Sequence, residues 1–105
     1  MAGHQHIDVG EWANRFALLS DSTRLSVLTH MHEHPGATVS ELAEAASITE
    51  NAASQSLRAL RSQGWVTTTK SGRTVHYRIV PDAIVHRILH DIMGAEHTDH
   101  PAHEH

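Results

Sequence analysis

The sequence predicts a mainly α-helical domain that carries a single β-hairpin near its C-terminal end. Two observations support this fold class: apolar residues recur at helical intervals over most of the chain, and between residues 65 and 79 the pattern changes to that of strands. A chain of 105 residues with 39% hydrophobic residues fits one domain. We divide it into a flexible arm over residues 1–7, a folded domain over residues 8–96 and a histidine-rich tail over residues 97–105.

The first two helices have polar residues at their expected starts. Asp8 is followed three residues later by Glu11, which is the spacing of a capping box, and an apolar side follows it along the chain. Asp21 offers the start of a second helix, because a side-chain oxygen there can accept a hydrogen bond from the first turn. Pro35 and Gly36 end that second helix.

Two short helices follow. Thr38 and Glu41 repeat the capping-box spacing and predict a third helix over residues 39–46. Thr49 begins a fourth helix and Gly64 ends it, with an apolar face formed by Ala53, Leu57 and Leu60. A close pair of short helices joined by a tight turn is a helix-turn-helix.

The pattern then changes to that of a hairpin. Residues 65–69 are aromatic and β-branched, residues 70–73 form a turn containing glycine, and residues 74–79 alternate. Pro81 and Asp82 start the last helix. A hairpin directly after the second helix of a helix-turn-helix makes the predicted fold a winged helix-turn-helix.

The charge is unevenly distributed along the chain. The net charge of −4 argues at first sight against a nucleic-acid partner. Residues 49–80, however, carry five basic residues against Glu50 alone, a local net charge of +4, and the remainder carries −8. The local distribution matters more than the sum, so the sequence indicates a basic module within an acidic frame.

The fourth helix has side chains suited to DNA on its polar sides. Amide and hydroxyl groups can pair with base edges in the major groove, and the candidates are Asn51, Ser54 and Gln55. Basic side chains suit phosphates, and the candidates are Arg58, Arg61, Lys70 and Arg73. Taken alone, the same helix is also compatible with a solvated polar surface.

Four stretches resemble the ArsR/SmtB family of metal-responsive repressors. They are Asp21-Ser-Thr-Arg-Leu-Ser-Val-Leu, Ser40-Glu-Leu-Ala, residues 53–66 and Gly72-Arg-Thr-Val-His-Tyr-Arg, and the resemblance covers about residues 10–95. It implies a homodimer, formed through the first and last helices, that binds double-stranded operator DNA and usually releases it when metal binds. Ser56 stands where the family commonly has histidine in its recognition helix, so we include Ser56 in the DNA-facing set with the base preference open.

Twelve histidines and no cysteine restrict the chemistry of any metal site. A disulfide, an iron–sulfur cluster and a thiolate zinc site are excluded. Any ion must be held by nitrogen and oxygen ligands, which favours Ni(II), Co(II), Zn(II) or Cu(II). The family's cysteine site on the helix before the recognition helix is absent, since residues 38–44 contain none.

The resemblance implies a second kind of family site, between the two last helices of a dimer. The spacing of His86, His97 and His100 matches its pattern, although Ile84 stands where the family has aspartate. Geometry agrees: His86 and His97 are three helical turns and about 16 Å apart, so they share a face but cannot bind one ion from one chain. If two copies of the helix run antiparallel about a two-fold axis near Ile92, His86 of one protomer meets His97 and His100 of the other.

Other groupings of histidine stay open. Asp82, His86 and His90 would form a row on one face of a continuous helix, which could itself chelate an ion. Removal of Met1 would leave an amino-terminal Ala-Gly-His4 chelate suited to Ni(II), with His6 close by, or only a polar arm. Histidines 30, 32 and 34 cluster at a helix C-terminus, where they favour the helix dipole, and His76 is expected to be structural. Solvated histidines without a metal role are the remaining alternative.

The sequence thus predicts a transcriptional regulator whose DNA affinity responds to Ni(II), with Zn(II) or Co(II) as alternatives. A winged-helix regulator without metal control and a histidine-rich metal buffer are the competing hypotheses. We do not expect an enzyme, since no HExxH motif, nucleophile elbow or phosphate loop occurs. We expect a cytoplasmic protein without a membrane partner, because no apolar run approaches about 20 residues and no signal peptide is visible.

Overall fold

The structure, a computed structural model, describes residues 7–99, with side chains as far as residue 94. The helices and the hairpin occur in the predicted order, which confirms the predicted fold class. They are α1 (Val9–Ser20), α2 (Ser22–Glu33), α3 (Val39–Ala46), α4 (Glu50–Ser62), β1 (Val66–Ser71), β2 (Thr74–Ile79) and α5 (Ile84–Asp99).

The predicted helix starts are confirmed by their hydrogen bonds. The residue before each of the first four helices accepts a hydrogen bond from the backbone N–H three residues later, which satisfies a donor that the helix leaves open. At α3 the capping box is complete, because the Glu41 side chain also accepts from the backbone N–H of Thr38 at 2.9 Å. The four caps are Asp8, Asp21, Thr38 and Thr49.

The turn between α3 and α4 is made by Ser47 in a left-handed conformation, with φ 58° and ψ 46°. The backbone N–H of Ile48 donates to the carbonyl of Ala43 at 3.0 Å and closes the end of α3. This turn sets the direction of α4 relative to α3, and it occupies the residues where the sequence predicted it.

The core is centred on α2. Val27, Leu28 and Met31 are fully buried, and buried apolar side chains from every element except α1 pack around them. Helix α1 contributes the partly buried Leu18 and Leu19. Burying each side chain of this size stabilises the fold by about 1.5–3 kcal/mol. The surrounding core residues are Ala37, Leu42, Leu57, Leu60, Trp65, Val66, Ile79, Val85 and Leu89.

The hairpin turn is shorter than predicted. The strands pair from Val66 with Ile79 to Ser71 with Thr74, so only Gly72 and Arg73 form the turn, and Lys70 lies within β1 rather than in it. Gly72 has φ 63°, and a two-residue turn requires such a left-handed conformation.

The wing is attached to the turn between α2 and α3. The backbone N–H of Gly36 donates to the carbonyl of Tyr77 at 2.8 Å, and the N–H of Tyr77 donates to the carbonyl of Ala37 at 2.8 Å. The Nδ1 atom of His76 hydrogen-bonds with the Gly36 carbonyl oxygen at 2.8 Å. The structural role predicted for His76 is confirmed, since this bond holds the strand to the helical layer.

The last helix begins later than predicted. Pro81 and Asp82 lie in a turn, which the backbone N–H of Ala83 closes by donating to Val80 at 3.0 Å, and α5 starts at Ile84. Asp82 therefore does not lie on α5, and the predicted row of Asp82, His86 and His90 on one helix face is wrong for Asp82.

The terminal helices keep large apolar side chains in solvent. Helix α1 has no buried residue, and Phe16 on it is 58% exposed. On α5, Ile84 is 39% and Ile92 is 51% exposed. None of the described helices is both long enough and apolar enough to cross a membrane.

Candidate nucleic-acid interface and histidine cluster

Helix α4 divides into a core side and a polar side. Ala53, Leu57 and Leu60 are buried, whereas Asn51 and Gln55 are exposed. Arg58 and Arg61 are also exposed and Ser54 is partly buried, so the predicted contact residues other than Ser56 lie away from the core. Positions 51, 55 and 58 repeat at four and three residues, which aligns them along one stripe of the helix.

Ser56 is a correction to the predicted DNA-facing set. It is only 6% exposed and lies on the core side of α4. Its spacing explains this position, because it follows the buried Ala53 by three residues and precedes the buried Leu60 by four. A side chain there packs against the rest of the domain and cannot reach a base edge from this surface.

A cavity of about 480 Å³ separates α4 from the wing. Arg58 and Arg61 line it together with the aromatic ring of Tyr77 from β2. Two guanidinium groups on one concave surface can bind phosphate oxygens. Sequence reasoning missed Tyr77, because only the pairing of the wing with the turn at Ala37 brings this ring to α4.

The basic side chains of this surface have no carboxylate partners among the described side chains. Lys70 and Arg73 are exposed on the two sides of Gly72 at the wing tip. In the part of the chain that the structure describes, the one ion pair is Arg15 with Glu11 on α1, at 3.0 Å. The positive potential of α4 and the wing is therefore not cancelled by neighbouring acids, which is what a polyanion-binding surface requires.

The predicted metal-ligating histidines fall mostly outside what the structure describes. His4, His6 and His100 lie outside residues 7–99, and His97 lies on α5 with its side chain outside the described ones. Of the remainder, His86 is partly buried and His90 is exposed. Among the described residues no three histidine, cysteine or carboxylate side chains are already grouped to hold an ion.

The structure brings together two histidines that the sequence did not associate. The ring centroids of His32 on α2 and His86 on α5 are 5.3 Å apart, with the rings inclined at 68°. Burial lowers the pKa of His32 below its ordinary value, the charges of His86 and His90 lower it further, and Glu33 opposes the effect. The two residues are 54 positions apart in the sequence, so no local spacing could have found them.

Comparisons with known proteins agree with the fold. The helix-turn-helix domain family matches residues 19–69. The chain is 31% identical over 85 residues to the HTH-type transcriptional regulator NmtR of Mycobacterium tuberculosis, covering 81% of this chain and 70% of that protein. It is 32% identical over 82 residues to the regulator KmtR of the same organism, covering 78% of this chain and 62% of that protein.

Solved structures show the same architecture. The homodimeric winged helix-turn-helix domain of a possible ArsR-family regulator from Mycobacterium bovis has a TM-score of 0.71 at 26% identity, covering 100% of this chain and 98% of that one. The antimony-specific repressor AntR has a TM-score of 0.71 at 30% identity, covering 87% and 82%. NolR from Sinorhizobium fredii has a TM-score of 0.71 at 23% identity, covering 95% of this chain and 94% of that one. At this identity the likeness shows the fold alone.

Proposed function

The chain belongs to the ArsR/SmtB family of winged helix-turn-helix transcriptional regulators, and from that premise we propose that it binds operator DNA as a homodimer and responds to a metal ion. The observation that carries the DNA-binding part is the exposed polar stripe of α4 beside basic side chains without carboxylate partners. The metal-binding part depends on the histidines of α5.

The proposed DNA contacts divide by chemistry. The N-terminal half of a recognition helix meets base edges, so Asn51, Ser54 and Gln55 read the sequence. Arg58 and Arg61 bind phosphates at the edge of the groove, and Lys70 and Arg73 bind the backbone beside the wing. The cavity between α4 and β2 supports this arrangement, since a phosphate there would meet both arginines of the helix.

Homodimerisation is supported by the apolar side chains on the terminal helices. Phe16 and Ile92 are each more than half exposed, an arrangement that a second copy would cover. The Mycobacterium bovis domain of the same architecture is homodimeric, which supports this part of the proposal. A dimer would present two α4 helices to successive major grooves, as a palindromic operator requires.

The proposed metal site joins the two α5 helices. His86 of one protomer would hold the ion with His97 and His100 of the other, and histidine nitrogens suit Ni(II), Co(II) and Zn(II). The donor set lacks a carboxylate, because Ile84, two residues before His86, occupies the position where the family has aspartate. His90, one turn after His86, and Asp82, in the preceding turn, are the nearest candidates for a further ligand.

We propose Ni(II) as the ion, with Co(II) and Zn(II) as alternatives. The three proposed histidine donors supply nitrogen only, and the amino-terminal residues through His4, together with His6, would add a chelate suited to Ni(II). When bound, the ion would supply a link between the two α5 helices. Because α5 packs on α2, a change in its position would change the spacing of the two recognition helices and hence the operator affinity.

Two experiments test the proposal. In the first, operator DNA is selected from duplexes with a randomised centre, and sedimentation then measures the number of protomers bound per duplex. We expect one dimer per duplex, and failure to select any sequence would reject the proposal.

In the second experiment, Ni(II), Co(II) and Zn(II) are titrated calorimetrically into the wild type, a His86→Ala/His97→Ala variant and a His103→Ala control. Full stoichiometric binding in the double variant would reject the site between the α5 helices.

A further inference from the structure

The contact between α2 and α5 is made at its surface by two histidines. Val85 and Leu89 are fully buried and fix α5 against the core, and His86 lies between them in sequence. His32 follows the fully buried Met31 on α2. Each imidazole is thus attached to a backbone that cannot shift without disturbing the core, and the separation of the two rings is set by the fold.

The separation of the rings matches that of two ligands on one ion. Two imidazoles that share a tetrahedral ion at about 2.0–2.1 Å have ring centroids about 5 Å apart. The centroids of His32 and His86 are 5.3 Å apart. In the structure the rings are inclined at 68°, so a shared ion would require the side chains to rotate until a nitrogen of each ring faces a common point.

His90 provides a third nitrogen. It lies one turn after His86 on α5, and residues four apart on a helix have neighbouring side chains. His86 and His90 also line one cavity of about 350 Å³ on α5. The described side chains do not yet form a three-membered group, so the exposed His90 must rotate toward the pair.

The surroundings leave room for an ion. A cavity of about 190 Å³ adjoins the pair and is lined by His32, His86 and the apolar side chains of Met31 and Ile79. Arg78 also lines it, and this cation weakens the binding of a second positive charge.

We propose that His32, His86 and His90 form a transition-metal site within one protomer, which links α2 to α5 and overlaps the site between the two α5 helices at His86 alone. The two sites share His86, so one ion on a given His86 excludes the other. Filling the site within the protomer would hold α5 on α2 and leave His97 and His100 without their partner ligand.

The test uses Co(II) as the probe, because its visible absorption reports the coordination number. The background is the full chain carrying His97→Ala and His100→Ala, which removes the site between protomers. In that background we expect one Co(II) per protomer, and His32→Gln to weaken it by about tenfold or more, equivalent to about 1.4 kcal/mol. His34→Gln, at the exposed end of α2, is the matched control and should leave the affinity unchanged.

A second variant keeps the test decisive if His32→Gln disturbs the fold. Arg78→Gln removes the opposing cation from the cavity and should strengthen Co(II) binding, with folding checked by thermal unfolding of each variant. The proposal is overturned if the background variant binds no Co(II), or if a folded His32→Gln protein titrates like its parent. Loss of binding in the background variant alone would instead leave the site between protomers as the sole metal site.

Discussion

The proposed DNA-facing surface of α4 and the histidine pair between α2 and α5 differ in how the chain assembles them. Asn51, Gln55 and Arg58 lie on one helix, and their spacing alone places them on one stripe. His32 and His86 lie on two helices and meet only because α5 packs on the α2 core. A surface on one helix therefore follows from periodicity, whereas a site between helices follows from packing.

The largest effect is expected from variants that prevent dimerisation, because the proposed operator binding requires a second copy of the chain whereas the contact of His32 with His86 does not. Phe16→Glu with Ile92→Glu places charges on the exposed apolar residues of the terminal helices and should leave a monomer in sedimentation velocity. Operator affinity should fall by about 100-fold or more, because one dimer on two half-sites gains a high effective concentration. Asn14→Glu, on the opposite side of α1 from Phe16, is the control, and wild-type operator affinity in the double variant would contradict this view.

The next largest effect separates the DNA surface from the histidines. Arg58→Ala with Arg73→Ala removes two phosphate contacts per protomer. The slope of log affinity against log salt should fall by about 3–4 per dimer, with Ni(II) binding unchanged. Arg87→Ala, an exposed residue of α5, is the control. An unchanged salt slope would show that these two arginines do not bind DNA.

A smaller effect is expected for base recognition on α4. Asn51→Ala should reduce the preference for one base pair by about 1–3 kcal/mol, measured on a panel of single substitutions in the operator. Ser56→Ala is the matched control on the same helix, because Ser56 is buried and should not alter any base preference. A shift of preference in the Ser56 variant would mean that α4 meets DNA with a different face.

The smallest effect is expected for the cap of α3, the helix that precedes α4 in the helix-turn-helix. Thr38→Ala removes the cap of α3 and should lower the free energy of unfolding by about 1 kcal/mol, measured by denaturant titration. Ser40→Ala, exposed on the first turn of α3, should change it by less. Equal stability of the two variants would show that the capping box does not stabilise α3.

Much of the fold could be predicted from local chemistry. Thr38 with Glu41 marked the start of α3, and Gly64, with φ 89°, ended α4 where expected. Two boundaries could not be placed this way. Pro81 and Asp82 satisfy the rules for a helix start but form a turn, and Lys70 joins β1 because Gly72 allows a tighter hairpin than its neighbours suggested.

The same distinction applies to the candidate sites, because features within one helix could be predicted from the sequence and features that depend on packing could not. The polar stripe of α4 follows from the helical period, but Ser56 could not be assigned without the packing of Ala53 and Leu60 around it. Tyr77 reaches the DNA surface only through the bridge of β2 to Ala37. The contact of His32 with His86 joins residues whose sequence neighbourhoods share no signal.

The coupling between the two regions is the central claim, and an operator titration measures it directly. Fluorescence anisotropy of the selected operator is recorded with and without Ni(II) for the wild type, His86→Ala and the control His34→Ala. We expect Ni(II) to change the affinity of the wild type and the control by about 5–150-fold, and that of His86→Ala not at all. Identical wild-type curves with and without Ni(II), Co(II) and Zn(II) would contradict metal control of DNA binding.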